Sequence, residues 1–222
     1  MVKQTQGEKS FWNDADMAAY FAAKPADPRI RDFVATHYAH PSGQSALDLG
    51  CGGGRHSEFL AEAGFDVVSV DPNEGMRRAT RIRLASKGLT ATIREGEILA
   101  IPSPDEQFDL VVTTGVLHQA NTSAEYEHAL SELHRVMKRG AFVCLNIFTN
   151  AAWDPTYQTV SRDGYSVMTA EDLPMTLWPR NHFLERMEWR GFALVSDYPE
   201  EVREENTGNR AVYRANFQKR QI

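Results

Sequence analysis

The stretch Ala46-Leu47-Asp48-Leu49-Gly50-Cys51-Gly52-Gly53-Gly54-Arg55 decides the fold. A short apolar run reads as a strand, passes straight into a glycine cluster, and opens into a helical segment at Arg55. Missing side chains let backbone amides approach a ligand closely, and a helix N-terminus adds partial positive charge. Asp71 ends the next apolar run, Val68-Ser69-Val70, about 20 residues on, where an acid can accept hydrogen bonds from both hydroxyls of a ribose. Glycine loop and acid together point to a nucleotide-like cofactor. The dinucleotide spacing G-x-G-x-x-G is not met, because its third glycine falls on Arg55 or, counted from Gly52, on Ser57. The spacing present is G-x-G-x-G.

Outward from the loop, strand-sized apolar runs alternate with helical patterns. Strands are predicted at Ala46–Leu49, Val67–Val70, Thr90–Arg94, Phe108–Thr113 and Ala141–Phe148. Helices are predicted at Arg55–Ala63, stopped by Gly64, and from about Glu74 to Ser86. The best-marked helix begins at Thr122-Ser123-Ala124-Glu125, a capping-box spacing, and repeats Tyr126, Ala129, Leu130, Leu133 and Met137 on one face. Lys138 and Arg139 suit its negative end, and Gly140 is expected to close it. Residues 11–38 read as two short helices split at Lys24–Pro28. Residues 151–180 read as irregular, a helix follows from about Arg180 to Arg190, and Phe192–Val195 with Val212–Phe217 form a last antiparallel pair. The expected fold is α/β and doubly wound: a mostly parallel seven-stranded sheet with helices on both faces, an antiparallel last strand and a small helical or irregular cap. It forms one domain over 1–222, with a helical lid (1–44), a cofactor-binding core (45–148), a cap insertion (149–180) and a last helix and strands (181–222).

The run from Ala46 to Gly54 resembles motif I of the class I, Rossmann-like S-adenosylmethionine-dependent methyltransferases. The resemblance continues through Val70-Asp71-Pro72, Gly96-Glu97, Phe108-Asp109-Leu110-Val111-Val112 and Leu133-His134-Arg135-Val136-Met137-Lys138-Arg139-Gly140. It covers roughly residues 45–148 in order and lies nearest the small-molecule branch. It implies S-adenosylmethionine as cofactor, with S-adenosylhomocysteine as product. Gly50, Cys51 and Gly52 would make room for the methionine end, and Asp48 would orient its ammonium, directly or through water. Asp71 and Pro72 would flank the ribose. Glu97 stands where the family usually has Asp accepting from the adenine amine, Ile98 would pack on the adenine, and Thr114 would border the cofactor.

His118 follows the fourth strand, at the edge where open α/β sheets bind ligands. It is the candidate general base, weighed evenly against a structural histidine at the pocket rim. His56, His128 and His134 read as surface or packing residues, with His182 an outside candidate. The aromatic ends, Phe11, Trp12 and Tyr20 with Trp153, Tyr157, Tyr165 and Trp178, are expected to wall the acceptor site, with Trp12, Tyr20, Trp153, Tyr157 and Tyr165 touching substrate. No ligand spacing suggests a metal.

Net charge is −6, from 24 basic and 30 acidic residues, against the basic footprint usual for nucleic-acid binding. The exception, Arg77, Arg78, Arg81, Arg83, Lys87 and Arg94, reads as a solvated helix face. The Asn/Asp-Pro-Pro-Tyr/Phe element of enzymes that methylate base amines is also missing after strand four, where Thr113-Thr114-Gly115-Val116 stands. No nucleic-acid or membrane partner is therefore expected. A chain of 222 residues buries roughly 70–75% of its unfolded surface and needs no staple. Its 42% hydrophobic and 24% charged composition excludes disordered and disulfide-scaffold classes. No run approaches a membrane span and Met1–Lys9 lacks a secretory signal, so with two cysteines, Cys51 and Cys144, the expected place is the cytoplasm. The reading is methyl transfer to a small molecule, with the acceptor atom and the choice between monomer and homodimer open. Its alternative is a protein that binds S-adenosylmethionine for a non-methyl reaction or as a regulatory partner.

Overall fold

The computed structural model describes Trp12, residues 14–205 and residues 208–221. Five strands form the parallel core: β1 (Ser45–Leu49), β2 (Asp66–Val70), β3 (Thr92–Arg94), β4 (Phe108–Thr114) and β5 (Met137–Thr149). A small sheet holds β6 (Gln158–Thr159), β7 (Ser166–Met168) and β8 (Pro174–Thr176). The chain then adds β9 (Phe192–Asp197), β10 (Glu201–Glu205) and β11 (Gly208–Lys219) to the main sheet. Its order is β10-β11-β5-β4-β1-β2-β3, with β9 also paired to β11. β11 runs antiparallel to each neighbour. The expected seven-stranded sheet is present as seven rows, because β9 and β10 lie end to end along one edge of β11. β9 pairs with Ala215–Lys219 and β10 with Gly208–Val212.

Helices cover both faces. Residues alternate sides along each strand, so a strand buried on both faces is almost wholly apolar. Leu47, Val111, Val143 and Leu145 pack with Tyr126, Leu130, Leu133, Phe183 and Met187 of the helices Ser123–Val136 and Arg180–Trp189. On the opposite face, Ala46, Leu110, Val112 and Cys144 meet Ile30, Phe33, Val34, Phe59 and Leu60 of the helices Pro28–His37 and Arg55–Ala63.

Three local expectations are corrected. The helix from Ser123 ends at Val136, and Gly140 lies inside β5. Its last carbonyls are met by the amides of Glu106 and Gln107, which donate to Arg135 and Val136 (both 2.9 Å), and by the buried Lys219 ammonium on His134 and Met137 (3.0 and 2.8 Å). No glycine cap is needed. Lys138 leaves the helix end and pairs with Asp109 at 2.7 Å. The capping box is also offset: Thr122 Oγ1 accepts the Glu125 amide at 3.2 Å, but the Glu125 carboxylate accepts from the Asn121 amide and side chain, both at 2.9 Å.

The third correction is the cap. Residues 151–180 form the antiparallel sheet β6-β7-β8, with Trp178 wholly buried and stacked on Tyr126 at 4.1 Å. Thr176 Oγ1 donates to the Ala120 carbonyl at 2.8 Å and ties this sheet to the turn after β4. Among the described residues, helices fall where expected at Ala15–Ala23 and Pro28–His37, each N-capped by an aspartate, Asp14 and Asp27.

Candidate active site

The C-terminal ends of β1, β2, β4 and β5 share one edge, the position at which open α/β sheets take ligands. Register sets a row across it: Leu49 pairs with Val70 and with Thr113, Thr114 with Asn146, and Asn146 with Arg214. Over this row lies a cavity of about 970 Å³, reaching from Asp71 and Glu97 past the glycine loop to Arg210 and Arg214.

The loop is held from below and pressed from above. Gly50 and Cys51 donate their amides to the Val70 carbonyl at 2.8 and 3.0 Å. Gly50 has φ 71°, and a Cβ there would stand 2.2 Å from Val116 Cγ2. A Cβ on Gly53 would lie 2.3 Å from the backbone nitrogen of Ala22, so this glycine admits the backbone of the helix Ala15–Ala23 against the loop. That helix turns Asp16, Met17, Tyr20, Phe21 and then Lys24 to the cavity. Its end is held by Arg83, whose Nη1 donates to the carbonyls of Ala22 and Lys24 at 2.6 and 3.0 Å.

Asp71 closes the loop. Its Oδ2 accepts the Gly52 amide at 3.0 Å, and its Oδ1 accepts the amide and side chain of Asn73 at 2.9 and 3.2 Å. Burial raises its pKa, while these donors pull the other way. Arg77 braces the turn, donating to the Asp71 carbonyl at 2.9 Å and pairing with Glu74 and Glu95. Arg77 and Arg83 are therefore buttresses, which corrects their reading as part of a solvated face; Arg77 is buried and Arg83 largely covered.

Of the residues expected around a cofactor, Gly50, Cys51, Gly52, Asp71, Pro72, Glu97, Ile98 and Thr114 all line the cavity. Burial raises the Cys51 thiol well above its usual pKa and keeps it protonated. Thr114 Oγ1 accepts from Arg55 Nη2 at 3.2 Å. Asp48, expected to orient the ammonium directly or through water, lies beneath the loop, outside the cavity lining, and accepts the Ser57 hydroxyl at 2.6 Å, which accepts that of Ser69 at 2.8 Å. Full burial raises its pKa to about 6 against the donation from Ser57. The Asp48 carboxylate thereby braces the start of the helix Arg55–Ala63.

His118 lines the cavity, and of its two readings the geometry favours the structural histidine at the pocket rim. Its Nδ1 accepts the Phe148 amide at 3.2 Å, so the neutral ring carries its hydrogen on Nε2. Burial lowers its pKa to about 3, and the charge of Arg210 adds to this. The ring stacks on Phe148 at 3.9 Å. It can donate a hydrogen bond; it is not poised to take a proton. His56 is buried, accepts the Asp27 amide at 3.3 Å and borders the cavity.

The aromatic wall divides. Trp12 and Tyr20 line the cavity, whereas Phe11 lies outside the described residues. Trp153, Tyr157 and Tyr165 are corrected, since none of them lines it. The exposed Trp153 meets the buried Tyr157 edge-on, the Tyr157 hydroxyl donates to the Asn209 carbonyl at 3.0 Å, and Tyr165 stacks on His182. In their place Leu173, with Pro174 and Met175 of β8, lines the cavity.

Sequence reasoning missed Arg55, Asn146, Arg203, Arg210 and Arg214 on the cavity wall. One signal was available: Arg210, Val212 and Arg214 alternate, so they share one face of a strand. Among the described residues no cluster of three His, Cys, Asp or Glu side chains is fit to hold a metal. No helix among them is long and apolar enough to cross a membrane.

Comparison with known proteins agrees with this geometry. Residues 47–145 match the family model described as a methyltransferase domain. A ubiquinone biosynthesis O-methyltransferase of Ruegeria pomeroyi is 34% identical over 49% of this chain and 43% of its own. A demethylmenaquinone methyltransferase of Renibacterium salmoninarum is 34% identical over 60% of this chain and 52% of its own. The chain spans about half the length of the curated relatives it matches. In fold it is similar to a solved S-adenosylmethionine-dependent methyltransferase of Methanosarcina mazei, with TM-score 0.73 and 20% identity over 90% of this chain and all of that one.

Proposed function

We propose that this chain, whose residues 47–145 match the model of a methyltransferase domain, is a class I enzyme that transfers a methyl group from S-adenosylmethionine to a small-molecule acceptor. One observation carries the reading. A single cavity joins the glycine loop, Asp71 and Glu97 at one end to a walled space large enough for a second molecule at the other.

The residues present suit the cofactor. At Gly52, on the cavity lining, a Cβ would meet nothing within 4 Å, which leaves open room beside the loop, and buried Asp71 stands there as an acceptor for ribose hydroxyls. Glu97 lies at the same end for the adenine amine, with Ile98 and Pro72 as apolar walls. Arg55, at the first turn of the helix after the loop, is suited to the methionine carboxylate.

When bound, S-adenosylmethionine supplies a methyl group already activated by its sulfonium. The chain must align the acceptor with that methyl and exclude water. Exclusion falls to the helix Ala15–Ala23 above the loop and to Leu173 and Met175 of the small sheet. His118 holds the Phe148 amide and presents a donor.

Methyl-labelled S-adenosylmethionine incubated with the protein and a fractionated small-molecule extract tests the proposal. Label should pass to a low-molecular-weight product and not to macromolecules. Binding of S-adenosylhomocysteine without transfer in any fraction would overturn it.

A further inference from the structure

We propose that the methyl acceptor carries a carbonyl group, and that the Nε2–H of His118 and the side-chain amide of Asn146 are the donors that select it. The inference rests on the methyltransferase reading and names the class of molecule that the same cavity takes. Both residues line the cavity. Asn146 of β5 pairs in register with Thr114 of β4, which is assigned to the border of the cofactor, so it stands one strand spacing, about 4.8 Å, further on. Asn146 and Phe148 lie two residues apart on β5 and share a face, and Phe148 carries the stacked ring of His118 at 3.9 Å. The two side chains therefore stand on one wall, next to the residues assigned to the cofactor.

Each is fixed as a donor by a backbone amide. The Gly115 N–H donates to Asn146 Oδ1 at 2.7 Å, so the side-chain oxygen faces Gly115 and the NH2 group is left over. Gly115 is itself held, with φ 78° and its carbonyl accepting from Gln119 Nε2 at 2.9 Å. The Phe148 N–H donates to His118 Nδ1 at 3.2 Å, which puts the hydrogen of the ring on Nε2. His118 is only 2% exposed, and burial keeps the ring neutral, so this tautomer persists. Neither the Asn146 NH2 nor the His118 Nε2–H has a protein partner among the described residues.

Two groups that only donate match a ligand atom that only accepts. A carbonyl oxygen offers two lone pairs in one plane and brings no hydrogen of its own, whereas a hydroxyl or an amine sets its own hydrogen against the two donors. Other cavity walls are apolar, with Val116, Phe148, Leu173 and Met175. In such surroundings a donor left unmet is costly, so the pair discriminates against an analogue that lacks the oxygen. Neither side chain carries a charge. The guanidiniums of Arg203 and Arg214 are already paired with Glu201, at 2.8 and 3.1 Å, so the group selected is a neutral carbonyl and not a carboxylate.

The test uses acetophenone and α-methylstyrene, which share a shape but carry C=O in the first and C=CH2 in the second. Both are titrated by ligand-detected NMR into protein saturated with S-adenosylhomocysteine. The ketone should bind at least fivefold more tightly than the alkene. Asn146→Asp keeps an acceptor for the Gly115 amide and removes one donor; His118→Phe keeps a ring against Phe148 and removes the other. Each should lower the preference at least twofold and leave affinity for S-adenosylhomocysteine unchanged. Because His118→Phe also strips the Phe148 amide of its acceptor, the Nε2 nitrogen resonance of His118 in the parent chain gives an independent check. It should move with the ketone and not with the alkene. Equal binding of ketone and alkene, no binding of either, an unchanged preference in either variant, a stationary resonance, or lost S-adenosylhomocysteine affinity in Asn146→Asp would overturn the proposal. Failure of the parent chain to bind S-adenosylhomocysteine, with the ketone preference intact in its absence, would instead overturn the methyltransferase reading and leave the carbonyl site standing.

Discussion

The Asp71 carboxylate and the Gly52 amide are joined across the ends of β2 and β1 by a hydrogen bond of 3.0 Å. This contact sets the loop against the acid assigned to the ribose, so one side chain shapes the site and would also bind in it. Asp71→Ala removes an acceptor for both and should weaken S-adenosylhomocysteine binding at least tenfold, about 1.4 kcal/mol. Calorimetry checks this, with Asp71→Asn expected to recover part of the loss. An unchanged dissociation constant in Asp71→Ala would remove the ribose assignment.

Gly53 tests the lid. Its absent Cβ is what lets the Ala22 backbone approach, and an alanine would meet backbone 2.3 Å away. Gly53→Ala should therefore displace the helix Ala15–Ala23 while leaving the sheet folded. Hydrogen exchange should quicken over residues 15–23 with strand protection unchanged. Unaltered exchange there would show that the helix does not depend on this approach.

His118 should remain neutral throughout the physiological range. Its folded pKa, about 3 against an ordinary 6.5, means that the folded chain binds this proton more weakly than the unfolded one. Stability from this group is thus fully present above about 6.5 and is lost as pH falls toward 3. The His118 ring resonance should show no titration between about pH 5 and 8. A midpoint near 6.5 would restore the general-base reading.

Asp48 behaves in the opposite sense. Raised to about 6 from 3.8, its carboxyl is protonated more readily in the folded chain, so its contribution to stability falls as pH rises through that window. Asp48→Asn keeps an acceptor for Ser57 and removes the ionisation. Its stability relative to the parent chain should therefore rise between about pH 4 and 7, by up to about 3 kcal/mol. Denaturant midpoints at the two pH values measure the difference, and a constant gap would contradict the assignment.

The cofactor half was legible because its requirements are local. Backbone room at Gly50 and Gly53, a strand-end acid at Asp71, and apolar runs buried on both faces each leave a mark within a few residues. The acceptor half was not legible, because tertiary direction decides it. Tyr157 and Tyr165 are aromatic wherever they point, and only partners distant in the chain, Asn209 and Arg210 for one and His182 for the other, show that they lie off the cavity. Arg77 and Arg83 look like surface charge until carbonyls 6 and 61 residues away in the chain claim them. The end of the helix at Val136 likewise depends on Lys219, which no nearby residue announces. Arg210 and Arg214 carried the one usable mark, their alternation.

The central claim, that the cavity over the glycine loop is a site for S-adenosylmethionine, is tested most directly by titrating S-adenosylhomocysteine and NADH separately into the purified chain. Saturable one-to-one binding of S-adenosylhomocysteine, with a raised melting temperature, and no response to NADH are the expected results. Stabilisation by NADH with none from S-adenosylhomocysteine would contradict it.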